Sequence, residues 1–391
     1  MWALIKQYIV DMYIKIKTSC LDFIRQNQDT IRAGLYQGIL DSLNTGVSHG
    51  LNTRHGFILP PSFIGGPRDM RRIYLDAMSL VQHYGKPDIF LTMTCNPSWP
   101  EIADELLPHE EVQNRPDQIA RVFHAKLAEL KKDIVQKKLF GEVAAYVYVI
   151  EFQKRGLPHV HFLIILDSTS KIRTSDQYDE HVCAEVPEQK TNAHLYEAVL
   201  KHMMHGPCGN DNPGNVYMRD GKCKIHYPRS FSETTSTGHN SYPIYRRHND
   251  GKKYLVRRVR LDNRWVIPYN PYLPAKYDCH INVEVCSTIK AVKYLYKYIY
   301  KGHDRVVFAL SNPDNISIGD EISSFQIARW ISPPEAAWRI IRFPLNGIHP
   351  NVFSLQVYLP NMQTVTFHSQ ERLQTVASDS CRQRTMLTAF F

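Results

Sequence analysis

The stretch EVAAYVYVIEFQKRGLPHVHFLIIL, residues 142–166, contains two segments with the composition of β-strands. The segments EVAAYVYVIEF and HVHFLIIL are rich in β-branched and aromatic residues, as strands are. The connection QKRGLP between them holds a glycine and a proline and is short enough for a hairpin. We therefore expect an antiparallel β-hairpin at residues 142–166, and the rest of the fold is built around it.

Two histidines lie on the second strand of this hairpin. His159 and His161 are two residues apart, so on a strand they point to the same face, whereas on a helix they would diverge by about 200°. Glu151 and Gln153 share one face near the end of the first strand. Two imidazoles with a carboxylate or amide oxygen make a three-ligand set for a divalent cation. The alternative, two histidines on the solvent face of a strand, stays open at this point.

Helices and strands follow one another along the rest of the chain. Apolar residues at three- and four-residue spacing predict helices, and short β-branched or aromatic runs predict strands. The predicted helices are residues 1–20, 21–43, a helix within 61–85, 116–139 and 333–343. The predicted strands, besides the hairpin, are DIFLTMTCNP (88–97), HINVEVC (280–286), VFSLQVYLP (352–360) and TVTFHS (364–369).

The stretch KAVKYLYKYIYKGHD, residues 290–304, carries four tyrosines in alternation. Alternation is typical of a strand, but the wider window holds good helix formers and ends in Lys-Gly, which favours a helix. A helix places Lys290, Tyr294 and Tyr298 along one stripe, with Lys297 and Lys301 three residues after each tyrosine. A phenol has a pKa near 10, so it needs such cations to act as a nucleophile. The alternative is that these tyrosines pack against the sheet, as we expect of Tyr296 and Tyr300.

Composition restricts the class of protein and of partner. The net charge of +9 and the pI of about 9.0 favour a polyanionic partner over an acidic substrate. No apolar run reaches the roughly 18 residues of a membrane span, and the first residues do not read as a signal peptide. The eight cysteines follow no secreted pattern, so we expect reduced thiols in the cytosol or nucleus.

With these motifs in place, the chain resembles the N-terminal nuclease part of Helitron transposases, the rolling-circle DNA transposons of eukaryotes. The resemblance runs over nearly the whole chain, and the matching blocks occur in the family's order. The blocks are ILPPSFIGGPRDMRRIYLDAM, GKPDIFLTMTCNPSWPEI, IEFQKRGLPHVHFLIIL, HGPCG, VIPYNPYLPAKYDCHINVEVC and AVKYLYKYIYKGHD. The family belongs to the HUH nucleases, so the resemblance implies an α+β fold with an antiparallel sheet core and flanking helices.

The resemblance also implies the site and its reaction. His159 and His161 would hold Mg²⁺ or Mn²⁺, with Glu151 as first choice and Gln153 as second choice for a third ligand. The two catalytic tyrosines would be Tyr294 and Tyr298, aided by Lys297 and Lys301. One tyrosine would attack a phosphodiester of single-stranded DNA at a transposon end, remain joined to the 5′ phosphate and free a 3′ hydroxyl. The family further implies a nuclear location.

The resemblance implies three regions. They are a helical N-terminal region (1–85), a nuclease core (86–305) and a C-terminal α/β extension (306–391). The core contains a Cys/His- and Arg/Lys-rich insertion at about 167–278. Helitron proteins continue into a helicase, but this sequence holds no G-x-x-x-x-G-K-[ST] phosphate loop. We therefore expect no ATPase or helicase activity from this chain, and a helicase domain or protein as a partner.

A Cys-rich segment follows HGPCG in the family. Here Cys208, Cys223 and His226 form a weak structural zinc set, since such a site usually has four ligands. Tyr217 stands where a further cysteine is expected. Cys279, His280 or Cys286 could complete the set, and buried or idle thiols are the alternative.

The stretch YRRHNDGKKYLVRRVR, residues 245–260, is strongly basic. It is a candidate DNA-binding surface with Tyr245 and Tyr254 available to stack bases, a nuclear import signal, or a solvated face. The expected DNA-binding residues are Arg246, Arg247, Lys252, Lys253, Arg257, Arg258 and, from the tyrosine stretch, Lys290.

Three functions remain at this point. The first is a metal-dependent nuclease that nicks and joins single-stranded DNA. The second is a catalytically decayed domain that binds single-stranded DNA without cutting it. The third, which we rank last, is a zinc-organised interaction module without a DNA role.

Overall fold

The computed structural model describes residues 2–28, 57–153, 156–209, 212–238, 242–288, 320–327, 329–353 and 355. The tyrosine stretch and the predicted strand at 364–369 lie outside these residues. The chain divides into two compact units. The larger unit comprises residues 1–13, 77–301 and 331–351, and the smaller comprises residues 14–76, 302–330 and 352–391.

The described helices follow the predicted order. They are α1 (Trp2–Gln26), α2 (Pro67–Tyr84), α3 (Pro100–Ala103), α4 (Pro116–Val135), α5 (Ser175–His181), α6 (Ala193–His202), α7 (Tyr272–Tyr277), α8 (Glu321–Gln326) and α9 (Pro333–Ile340). Helix α4 ends at Val135 rather than at Leu139, because Lys138 has a left-handed φ of 54° and the Leu139 amide donates back to the Asp133 carbonyl. No described helix has the length and apolar content to cross a membrane.

One sheet of five strands forms the centre of the larger unit, in the order β8-β1-β3-β2-β9. Its strands are β1 (Ile89–Thr94), β2 (Val143–Phe152), β3 (Pro158–Leu166), β8 (Ile281–Val285) and β9 (Asn346–His349). Every neighbouring pair is antiparallel, and β2 and β3 form the predicted hairpin. The predicted α+β class with an antiparallel sheet is confirmed.

The two faces of this sheet differ in character. Every second residue of the central strands points to a core of buried side chains, and α4 and α9 pack on this face of the sheet. Val160, Phe162 and Ile164 of β3 belong to this face, and each is at most 1% exposed. His159 and His161 have the opposite phase. The core is therefore on one side of β3, and the candidate metal ligands are on the other.

An insertion connects β3 to β8 and has its own apolar cluster. It contains α5 to α7 and two small hairpins, β4 (Met218–Arg219) with β5 (Lys222–Cys223), and β6 (Tyr254–Val256) with β7 (Val259–Leu261). Asp133 of α4, 1% exposed, accepts hydrogen bonds from Tyr277 at 2.6 Å and Lys276 at 2.7 Å. These bonds attach the end of the insertion to the core.

The smaller unit has a separate cluster of buried side chains. Leu59, Phe63 and Ile322 pack together with residues of α1. Arg68 of α2 pairs with Glu321 at 2.6 Å, and the Leu59 amide donates to the same carboxylate. Burial of this pair beside the cluster fixes the start of α8 within this unit.

Candidate functional site

Three polar side chains converge on the open face of the β2–β3 hairpin. Glu151 lies directly opposite His159 in the strand ladder, and His161 lies one pleat further along the same face. The Nε2 atoms of the two imidazoles are 2.8 Å apart. The Oε2 atom of Glu151 lies 3.9 Å from Nε2 of His159 and 3.7 Å from Nε2 of His161. The strand alternation that predicted this cluster thus brings all three groups to one point.

The spacing of these donor atoms fits a single divalent cation. The point equidistant from the three atoms lies about 2.05 Å from each, close to the 2.0–2.2 Å bonds of such cations to nitrogen and oxygen. All three donors lie on one side of the sheet, which leaves other coordination positions for oxygens of a substrate. Two imidazoles and a carboxylate combine donor types suited to Mn²⁺ and to other first-row metals.

Two neighbours on β1 hold His161 in place. The hydroxyl of Thr92 lies 2.9 Å from Nδ1 of His161, and both side chains are buried. The ring of Phe90 stacks on the imidazole at 5.7 Å with an interplanar angle of 13°. An Nδ1 proton donated to the hydroxyl leaves the lone pair of Nε2 for a metal. Thr92 was not among the residues predicted for the site. It lies two residues before Thr94 on a predicted strand, so the two side chains are on the same face.

Gln153 contacts the nitrogen of the His159 ring that does not face the other two ligands. Its side-chain amide is 3.2 Å from Nδ1 of His159, whereas Nε2 is the atom that faces His161. As placed, Gln153 can orient the imidazole but does not share a point with the other donors. Glu151, our first choice of third ligand, is the carboxylate of the cluster.

The polar face extends from the histidines across β1 to β8. Asn282 pairs with Thr92, and Glu284 pairs with Phe90. The buried Asn282 Oδ1 and Glu284 Oε2 atoms have no hydrogen-bond partner in the described parts of the chain. Burial raises the pKa of Glu284 to about 7. In HINVEVC, Asn282 and Glu284 alternate with apolar residues, which indicates a polar face. The sequence was interpreted only as a strand, without a role for these two side chains.

A second cluster of potential metal ligands lies in the insertion. Nε2 of His205 is 3.2 Å from Sγ of Cys208 and 3.4 Å from Sγ of Cys223. All three side chains are buried and their ligand atoms lie within 4.8 Å of one another. The predicted set has His226 as its third member, whereas the cluster in the structure contains His205. His226 is exposed at the end of a turn, where the HGPCG block supplies His205 instead.

The environment of this second cluster is dry and aromatic. The His205 ring stacks on Tyr227 at 4.4 Å and lies 5.0 Å from the ring of Tyr217. Burial lowers the pKa of His205 to about 4, and burial beside Cys223 raises the pKa of Cys208 to about 11. A neutral imidazole and two thiols that lose protons on metal binding are suitable zinc donors.

The basic stretch divides into buried and exposed parts. Arg247 is 3% exposed, and its Nη1 donates to the carbonyls of Ala184, Asn263 and Val266. Tyr245 is 5% exposed, and its hydroxyl accepts from the Val285 amide. Both residues are predicted to contact DNA, and the structure instead buries their side chains within the insertion. Both side chains hold the insertion together.

The remaining basic residues of the stretch reach the surface. Arg246 is ion-paired with Asp179 and Glu185, and Lys252 with Asp250. Lys253, Arg257 and Arg258 are exposed on or beside the β6–β7 hairpin. Their DNA-binding role stays a prediction. Five other selected residues lie outside the described part of the chain: Lys290, Tyr294, Lys297, Tyr298 and Lys301.

One known family matches part of the chain. Residues 1–164 match the model of the Helitron helicase-like domain at N-terminus. This part of the chain is a Helitron helicase-like domain. The matched range contains Glu151, His159 and His161, whereas the Cys/His cluster and the basic stretch lie beyond it. No curated protein matches the chain.

Proposed function

We propose that this protein nicks and joins single-stranded DNA by metal-dependent tyrosine transesterification, as the nuclease part of a Helitron transposase of the HUH class. The convergence of Glu151, His159 and His161 on one face of the sheet carries the proposal. Its donors match a divalent cation in type and spacing, and they lie within the Helitron helicase-like domain. By family resemblance we place the protein in the nucleus, acting on transposon ends together with a helicase domain or protein.

The residues of the site would have separate roles in binding and orienting the metal. His159, His161 and Glu151 would hold Mg²⁺ or Mn²⁺, while Thr92 keeps the His161 ring oriented. A bound cation would polarise the scissile phosphate and offset the charge that develops on it. The donors lie on the face of β3 that is opposite the core, so a DNA strand that reached them would not cross the core.

Tyr294 and Tyr298 are the proposed nucleophiles. The phenolic oxygen forms a bond to phosphorus, the bond from phosphorus to the 3′ oxygen breaks, and that oxygen leaves with a proton as a 3′ hydroxyl. Chain connectivity supports this role, since β8 pairs with β1 and β1 pairs with the histidine strand. The tyrosine stretch follows β8 in the sequence.

The test is a cleavage assay on a 5′- and 3′-labelled single-stranded oligonucleotide with Mn²⁺. We expect a covalent protein adduct on the 5′ phosphate of the 3′-labelled fragment, a free 3′ hydroxyl on the 5′-labelled fragment, and no adduct with EDTA or with His161→Ala. The double variant Tyr294→Phe/Tyr298→Phe should lose the adduct, and the matched control Tyr296→Phe should keep it. An adduct that survives in the double variant would refute the assignment of the tyrosines.

A DNA-binding domain without nuclease activity is the second candidate, favoured by the exposed basic residues of the β6–β7 hairpin. It predicts a salt-dependent mobility shift with no adduct under any metal. Absence of both cleavage and binding would exclude both candidates.

A further inference from the structure

The β6–β7 hairpin is closed by two arginines in an unfavourable backbone conformation. Arg257 and Arg258 have φ values of 50° and 70°. Two-residue hairpin turns with positive φ at both positions prefer Asn-Gly, because a side chain with Cβ is strained there. The sequence VRRV therefore keeps two long cations at a position where smaller residues would be more stable.

The hairpin presents cations that lack acidic partners. Lys253, Arg257, Arg258 and Arg260 are exposed, and none forms an ion pair with a residue in the described ranges. Leu255, opposite Arg260 in the ladder, is 73% exposed. On the other face, the buried side chains of Val256 and Leu261 join the apolar cluster of the insertion. Packing of Val256 and Leu261 fixes the hairpin on the insertion, and the basic side chains lie on its outer face.

The turn lies next to the Cys/His cluster. Arg257 donates a hydrogen bond to the carbonyl of Gly206, next to His205. Its charge lowers the pKa of His205 and contributes to lowering that of His280, after the larger effect of burial on each. His280 immediately precedes β8 and its carbonyl accepts from the Thr94 amide at the end of β1. The charge of Arg257 thus acts on the residue that leads into β8, the strand that pairs with β1.

We propose that the tip and outer face of the β6–β7 hairpin bind the phosphate backbone of single-stranded DNA. This inference rests on the proposed function and adds to it the element that guides the strand toward the metal site. Exposed guanidinium groups that form no ion pair within the described ranges match phosphate in charge and geometry. Exposed Leu255 adds an apolar contact for a base without sequence preference.

The proposal predicts opposite effects on stability and binding. Arg258→Gly removes the strain of the left-handed position, so we expect the Tm to rise by about 2 °C. The same change removes one phosphate contact. The slope of log affinity against log salt for oligo(dT) should become shallower by about 0.7. If the two proteins bind equally at 1 M salt, the variant should then bind about fivefold more weakly than the wild type at 0.1 M salt.

Arg342→Gly is the matched control. Arg342 is also an exposed arginine with a left-handed φ, of 63°, but it follows α9 on the core side of the sheet. This variant should gain thermal stability in the same way and leave the salt slope unchanged. A stabilised Arg258→Gly protein with wild-type affinity and slope would overturn the proposal. So would an equal loss of binding in both variants.

Binding is measured by fluorescence anisotropy in EDTA, so the result does not depend on cleavage. Failure of the nicking assay with a normal Arg258 effect would refute the proposed function alone. Loss of affinity for polyglutamate but not for oligo(dT) would point to an acidic protein partner and overturn the inference.

Discussion

The hydroxyl of Thr92 should control how tightly the protein binds its metal. Thr92→Val keeps the β-branched shape that the strand requires but replaces the hydroxyl with a methyl group. Nδ1 of His161 then lies in a buried site, 7% exposed, without the partner now 2.9 Å away. Loss of this hydrogen bond removes one contact that fixes the proton on Nδ1, so Nε2 is held less firmly as the metal-binding nitrogen.

The size of the effect follows from the role of such outer partners. Loss of a hydrogen bond that orients a ligating histidine weakens metal binding by about 10–100-fold, or about 1.4–2.7 kcal/mol. The folded state without metal should lose only about 1 kcal/mol of stability, the typical net contribution of one neutral hydrogen bond. The free energy of Mn²⁺ binding should therefore change more than the free energy of unfolding.

Isothermal titration with Mn²⁺ and thermal unfolding in EDTA measure the two quantities. Thr94→Val is the matched control, since Thr94 has the same strand and phase and pairs with His159. We expect this control to bind Mn²⁺ within about twofold of the wild type. If Thr92→Val also stays within about twofold, the orienting role of the hydroxyl is refuted. If both variants lose Mn²⁺ affinity equally, the cause is the lower polarity of this face of the sheet rather than the hydrogen bond of Thr92.

Three further predictions concern the support of the site. Asp133→Ala should destabilise the fold by about 3 kcal/mol, because it leaves Lys276 unpaired. Burial acts to raise the pKa of Asp133, but its hydrogen bonds outweigh burial and lower it. The carboxylate thus stabilises the fold above about pH 4 and loses this effect as pH falls, so acid unfolding of the variant should be less steep. His205→Ala should abolish zinc binding measured by atomic absorption, whereas His226→Ala should retain it. Arg247→Met should lower the Tm but leave the oligo(dT) affinity of the folded protein unchanged.

The sequence predicted the centre of the fold because several signals agree there. Strand composition, the Gly-Leu-Pro turn and the two-residue spacing of His159 and His161 all require the same hairpin. The structure has β2 at Val143–Phe152 and β3 at Pro158–Leu166, within a residue of the prediction. Glu151 followed from strand phase, so the ligand cluster could be assembled without coordinates.

Other elements lacked a local signal. The β6–β7 hairpin has no Asn-Gly turn, so its sequence appeared as a charge run. Strand β9, with the sequence NGIH, resembles a turn and is extended because it pairs with β2. The burial of Arg247 and the choice of His205 over His226 depend on long-range packing within the insertion. A single sequence does not encode these in spacing or composition.

The alternation of β3 has a consequence for how this protein can change. Metal ligands and core residues occupy opposite phases of one strand, so their positions cannot vary independently. A one-residue deletion in the turn before β3 would turn His159 and His161 inward and Val160 and Phe162 outward. Substitutions can weaken the site gradually, but a length change here would remove the metal site and the core together. Insertions are tolerated far better between β3 and β8, where the chain already carries an additional packed region.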